Sequence, residues 1–106
     1  MKILEIDHRD PRLVEQLTAL WEASVRRTHL FLSPGEVEQI KKEVPQAIRQ
    51  VPHLVVAEKT EGAPAAFMGV EGRTLAMLFV APEERSRGIG GQLVRFGVAR
   101  FGLCRV

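Results

Sequence analysis

Three short apolar segments, Leu54–Ala57, Ala65–Val70 and Thr74–Ala81, follow one another with only Thr60-Glu61-Gly62 and Glu71-Gly72-Arg73 as turns between them. Connections this short join antiparallel neighbours, because a parallel return needs a crossover of about a dozen residues or more. The middle of the chain therefore reads as an antiparallel meander. Whatever precedes or follows it has to pack on the faces of a sheet.

Upstream, Ile3, Leu4 and Ile6 form a first strand, closed by Asp7-His8-Arg9-Asp10-Pro11. Asp10 suits a helix N-cap, and proline at the first helical position forfeits no hydrogen bond. Leu13, Val14, Leu17, Leu20, Trp21 and Val25 recur at three- and four-residue spacing, the apolar stripe of an amphipathic helix, which assigns Trp21 to the core. From Ser24 to Leu32 the chain is expected to leave the helix as a loop. Ser33-Pro34-Gly35-Glu36 has capping-box spacing and opens a second helix through Val37, Ile40 and Val44. Pro45 is expected to break or kink it, with Ala47, Ile48 and Val51 carrying a last helical piece to Pro52. After the meander, Pro82 ends the third strand, Glu83 to Arg87 is a charged loop, and a final helix runs from about Gly88 through Leu93, Val94, Val98 and Phe101 to a C-cap at Gly102. Leu103 to Val106 is the stub of another strand. The expected order is β-α-α-β-β-β-α with that stub, an α/β (α+β) fold with a mostly antiparallel sheet flanked by helices.

With 106 residues the chain has room for one core, and 45% hydrophobic residues exclude intrinsic disorder. Cys104 is the one cysteine. An intramolecular disulfide, a CxxC redox pair and a cysteine-rich zinc site are excluded, which points to a reduced, cytoplasmic setting, and Cys104 reads as a small apolar residue. His8 and His53 sit in turns without metal-ligand spacing, so no metal site is assigned. No stretch approaches the roughly 18 apolar residues of a membrane span, and Glu5 comes too early for a signal peptide.

Charge is uneven along the chain. Residues 1–84 carry 10 Lys or Arg against 13 acidic residues, whereas Arg85, Arg87, Arg95, Arg100 and Arg105 face no acid in the remainder. A basic end on an acidic body suggests a local anionic partner, either a phosphate-bearing ligand or nucleic acid. A solvated helix face that happens to gather arginines accounts for the charge equally well.

The stretch Leu78 to Leu93 decides between these readings. It is an apolar strand, a basic turn, the cluster Gly88-Ile89-Gly90-Gly91, and a helix. Glycines at the head of a helix let a ligand approach the backbone while the free amides of the first turn favour negative charge, and Arg85 and Arg87 flank them. A P-loop needs a lysine after its glycine, and none follows here. A dinucleotide fingerprint needs Gly or Ala where Leu93 stands and an acid about 20 residues on. What fits is Arg-x-x-Gly-x-Gly, at Arg85, Gly88 and Gly90.

That motif at a strand-loop-helix junction, together with the element order over the whole chain, resembles the GCN5-related N-acetyltransferases. Ser24-Val25 and Thr28-His29-x-Phe31-Leu32-Ser33 are similar to a subgroup of small bacterial acetyltransferases. The resemblance implies acetyl-CoA as cosubstrate and direct acetyl transfer to an amine of a small molecule or protein. Backbone groups of Leu78, Phe79 and Val80 would pair with the pantetheine arm. Amides of Ser86, Arg87, Gly88, Ile89, Gly90 and Gly91 would hold the pyrophosphate, beside Arg85. Thr28, His29 and Phe31 would belong to the acceptor pocket. Where many relatives carry a basic carboxylate this chain has Met77 and Ala76, and it has no tyrosine to act as the acid. His29 is the remaining titratable candidate, with anchoring of the loop as its other use.

The resemblance also implies that the C-terminal part of the family fold is missing. The single domain over residues 1–106 is then incomplete, and the third meander strand is left with an uncovered edge, for which a homodimer is the expected remedy. Two other readings remain: a CoA-binding remnant without turnover, and a nucleic-acid binder, which is disfavoured because only Phe96 and Phe101 are interleaved with the arginines.

Overall fold

The computed structural model describes residues 1–28, 32–85 and 87–105. Its elements run β1 (Lys2–Ile6), α1 (Pro11–Thr28), α2 (Pro34–Lys41), α3 (Val44–Gln50), β2 (His53–Glu58), β3 (Pro64–Glu71), β4 (Thr74–Val80), a 3-10 turn (Pro82–Glu84) and α4 (Ile89–Phe101). The four strands form one sheet in the order β1-β2-β3-β4 with every neighbouring pair antiparallel; the short turns require this for β2, β3 and β4, while β1 returns beside β2 after the three helices.

Both faces of the sheet are covered. Leu54, Val56 and Phe67 point to one side, where Val14, Leu17, Trp21 and Val25 of α1 pack with Val37, Val44, Ile48 and Val51. Val55, Ala57, Met68 and Val70 point to the other, against Ile89 and Leu93 of α4 and Leu103. Two buried faces explain why β2 and β3 read as continuous apolar runs rather than alternating ones. Trp21 is 6% exposed, a core residue as its place on the stripe predicts.

The helix termini follow local chemistry. Leu13 N–H donates to Asp10 Oδ1 at 2.8 Å, opening α1. Ser33 and Glu36 form the reciprocal capping box of α2, at 3.2 and 3.0 Å. Gly102 closes α4 at φ +69°, its amide bonded to Val98 O.

Three expectations need correction. Ser24 to Thr28 is helical, not loop: α1 continues because Val25 is buried and Arg26 pairs with Glu22 one turn back at 2.8 Å. The second helical region is two helices, interrupted at Lys42–Glu43 ahead of Pro45. Val44 and Pro45 thus begin α3, in the first turn where proline is tolerated. Cys104 is exposed rather than packed as an apolar residue. It lies on the terminal segment, where its amide donates to Arg73 O at 2.9 Å.

That segment covers only the start of the edge strand. Arg105 bridges Thr74 in parallel fashion, and Leu75 N–H donates to Arg105 O at 2.8 Å. Beyond Leu75, no strand among the described residues lies outside β4.

Candidate functional site at the junction of β4 and α4

β4 is not a regular strand. It pairs Gly69 with Met77 and Val70 with Leu75, so Ala76 is an extra residue and the strand bulges there. A bulge bends its strand and disrupts the ladder locally. Ala76 is exposed, and Met77 packs into the core on the α1 side. The positions at which a carboxylate was sought therefore sit at the bulge, with an apolar pair in its place.

At the other end of β4 the chain makes the tight Pro82–Glu84 turn, passes Arg85 in extended conformation, and enters α4 through Gly88 at φ +71°. Left-handed backbone of this kind suits glycine alone among ordinary residues. Gly90 and Gly91 differ from it. A Cβ on Gly90 would lie 3.7 Å from Val80 Cγ2 and 3.9 Å from Leu78 Cδ2, ordinary contacts, and one on Gly91 would meet only the tip of Arg95 at 3.4 Å. Neither glycine is demanded by packing within the chain, although each weakens a helix relative to alanine. By contrast, Gly69 and Gly97 are packing glycines, with neighbours at 2.7 and 3.1 Å.

The head of α4 is electrostatically open to an anion. Its N-cap has no side-chain bond and its first turn no acid. The first-turn amides of any α-helix lack partners within the helix, and their dipoles favour negative charge. Arg95, one turn beyond Gly91, brings its guanidinium over that glycine. It is absent from the motif, and only its i, i+4 spacing from Gly91 signals it.

The motif arginine Arg85 and its neighbour Arg87 are held by different partners. Arg85 donates from Nη2 to Ser24 Oγ of α1 at 3.0 Å. Arg87 is 68% exposed and stands 3.8 Å from Glu84 Oε1; Glu84 is buried and also takes Lys59 Nζ at 3.2 Å. Sequence reasoning missed Glu84 and Lys59, since nothing local marks a pair that far apart. Arg100 is engaged elsewhere: it reaches Glu5 at 3.4 Å, and Glu5 also bonds His53 at 2.8 Å. Phe101 stacks on His53 at 4.3 Å and meets Phe96 edge-on, and both phenylalanines, partly buried, pack against the core beneath α4.

Of the residues predicted for the site, Leu78, Phe79, Val80, Arg85, Arg87, Gly88, Ile89, Gly90 and Gly91 are brought together at this junction, with Ile89 buried beneath it. Thr28 closes α1, some distance along the chain from the junction but on the helix that holds Arg85. His29, Phe31 and Ser86 lie outside the described residues.

No protein-family model matches the chain. Among curated proteins, the peptidyl-lysine N-acetyltransferase YjaB of Salmonella typhimurium is 36% identical over 80 residues, 76% of this chain and 54% of that protein. The protein of the same name from Escherichia coli is 33% identical over 85 residues, 80% and 57% of the two lengths. Among solved structures, apo YjaB from Escherichia coli superposes with a TM-score of 0.79 and 31% identity over 93% of this chain and 66% of its own. The chain resembles the GCN5-related N-acetyltransferases in sequence and in fold. An aminoglycoside 6'-N-acetyltransferase solved with coenzyme A matches at TM-score 0.65 and 25% identity, over 96% of this chain and 56% of its own. A GNAT family acetyltransferase from Brucella melitensis, solved with acetyl-CoA, shares the fold at TM-score 0.66. The chain spans a little over half the length of the curated acetyltransferases it matches.

Proposed function

We propose that the junction of β4 and α4 binds acetyl-CoA, and that the protein carrying this chain transfers the acetyl group to an amine. The observation that supports this reading is the pair Gly90 and Gly91: both have room for a Cβ, both cost helix stability, and both lie in the first turn of α4, whose amides lack helical partners, with Arg95 beside Gly91 and Arg85 and Arg87 on the loop just before it. A phosphate-bearing ligand against the backbone accounts for all of these features together. Acetyl-CoA supplies an activated thioester that an amine can attack directly. The chain's own part is to receive the pyrophosphate on the amides of Arg87 to Gly91 and to offer the open edge at Leu78, Phe79 and Val80 to an extended pantetheine arm. The relatives are named for peptidyl-lysine, which favours a lysine ε-amine as the acceptor. With Ala76 and Met77 in place of a carboxylate, His29 is our candidate for taking the ammonium proton, on its titration range.

Calorimetric titration with acetyl-CoA, run beside an assay of CoA release with lysine-bearing peptides, tests the proposal. Saturable binding with turnover supports it, and binding without turnover for any amine leaves a CoA-binding remnant. Absence of binding overturns the cosubstrate reading. Pairing of a second copy along β4 is the alternative use of that edge, in competition with the pantetheine arm. A homodimer predicts a mass that rises with concentration in sedimentation; a monomer at every concentration rejects it.

A further inference from the structure

Ser24 and Arg85 are 61 residues apart in sequence and share a hydrogen bond of 3.0 Å. Ser24 lies on α1, 4% exposed, one helical turn before Thr28, the last residue of that helix. Arg85 is exposed and follows the Pro82–Glu84 turn, on the loop that leads to Gly88. A guanidinium has five N–H donors and no acceptor, so the direction of the bond is fixed: the arginine donates and the hydroxyl accepts. A buried hydroxyl on a helix holds a long, exposed side chain by one of its nitrogens. Such a bond removes rotamer freedom from Arg85 before any ligand arrives.

We propose that Ser24 is a positioning residue for the phosphate-binding loop, fixing Arg85 and through it the approach of the chain to Gly88. Its consequence for ligand affinity rests on the acetyl-CoA reading above; its consequence for the order of the loop does not. The bond also ties α1, whose end leads into the segment read as the acceptor side, to the loop read as the cosubstrate side. It thereby joins a residue of the α1 segment motif to the first residue of the glycine motif.

Ser24→Ala deletes the acceptor and keeps high helix propensity, since alanine is the best helix former. Hydrogen exchange at the Arg85, Arg87 and Gly88 amides in the ligand-free protein is expected to accelerate in this variant and to return toward the parent rate in Ser24→Thr, which keeps the hydroxyl. CoA affinity is expected to fall about three- to tenfold in Ser24→Ala, the range expected for ordering one long side chain. In an Arg85→Ala background the same change is expected to do nothing further, because coupled residues are not additive. Unchanged exchange in Ser24→Ala overturns the proposal, as does equal weakening of CoA binding in both backgrounds. If the parent protein does not bind CoA, the acetyl-CoA reading falls, and the exchange comparison still decides whether Ser24 orders the loop.

Discussion

Met77 lies across Gly69 so closely that a Cβ on the glycine would stand 2.7 Å from Met77 Cγ and 2.9 Å from Val51 Cγ2. The two residues are register partners at the last regular pair before the bulge of β4. Gly69 thus gives Met77 room on the α1 side of the sheet while the strand bends. Gly69→Ala is expected to lower stability by about 1–3 kcal/mol, the usual cost of forcing extra volume into a packed core. Urea denaturation measures this, and Met77→Ala in the same chain is expected to recover part of the loss by removing the nearest neighbour. Simple additivity of the two changes would show that the contact does not set the geometry of the bulge.

The contact between α1 and α2 carries a pH signature. Hydrogen bonds from Lys41 and then Arg26 hold the Glu22 carboxyl below its ordinary 4.5, and Glu22 in turn raises Lys41 above 10.5. The Ser33 backbone amide lowers Glu36 in the capping box in the same way. A carboxylate lowered on folding contributes stability that is complete above its unfolded value and lost as pH falls through the folded one. The lysine contributes fully below its unfolded value, and its share is lost as pH rises through the raised folded value. The urea midpoint is therefore expected to decline as pH drops below about 4.5 and again above about 10.5, with a plateau between. Lys41→Met is expected to flatten both limbs; an unchanged acid limb would remove Glu22 from the account. Glu36 is exposed and Glu22 and Lys41 are partly so, and the slopes are shallow.

Arg9 closes α3 from a distance. Its Nη1 donates to Ile48 O at 2.8 Å and Arg49 O at 2.9 Å, and its Nη2 to Pro52 O at 3.3 Å. These carbonyls lie at the end of a seven-residue helix, where a cation also meets the negative end of the dipole. Arg9→Ala is expected to cost about 1–2 kcal/mol, given the net worth of charged hydrogen bonds. Arg9→Lys is expected to recover only part of this, because a single ammonium cannot span three carbonyls. Thermal melts of the two variants check the order.

Turns and caps were legible because their chemistry is local: Ser33 with Glu36, Asp10 with Leu13, Gly102 with Val98. The order of β2, β3 and β4 follows from two short turns, whereas the place of β1 beside β2 does not. What escaped the sequence depends on partners far along the chain. Ser24 to Thr28 lacks a strong apolar pattern, yet α1 runs through it, helped by a buried Val25 and by the Glu22–Arg26 pair. Pro45 marked an interruption but not its place, since proline is equally at home in the first turn of the next helix. At the candidate site the glycine cluster and the flanking arginines were readable, whereas Glu84 with Lys59 and Ser24 with Arg85 arise only when β2, α1 and the loop after β4 converge.

Gly88 and Gly90 separate folding from function. Gly88 has a positive φ and open space around it, so Gly88→Ala strains the backbone without any clash, and a loss of about 1–2 kcal/mol is expected. Gly90→Ala places its methyl at ordinary distance from Val80 and Leu78 and improves helix propensity, so stability is expected to hold or to rise by up to about 1 kcal/mol. The same methyl stands on the backbone surface that acetyl-CoA would need, and binding is expected to weaken by about tenfold or more. Melting temperature and calorimetric affinity measured on both variants give opposite rankings if the reading holds. A Gly90→Ala protein that binds CoA as tightly as its parent would mean that the glycine cluster is not a ligand cradle.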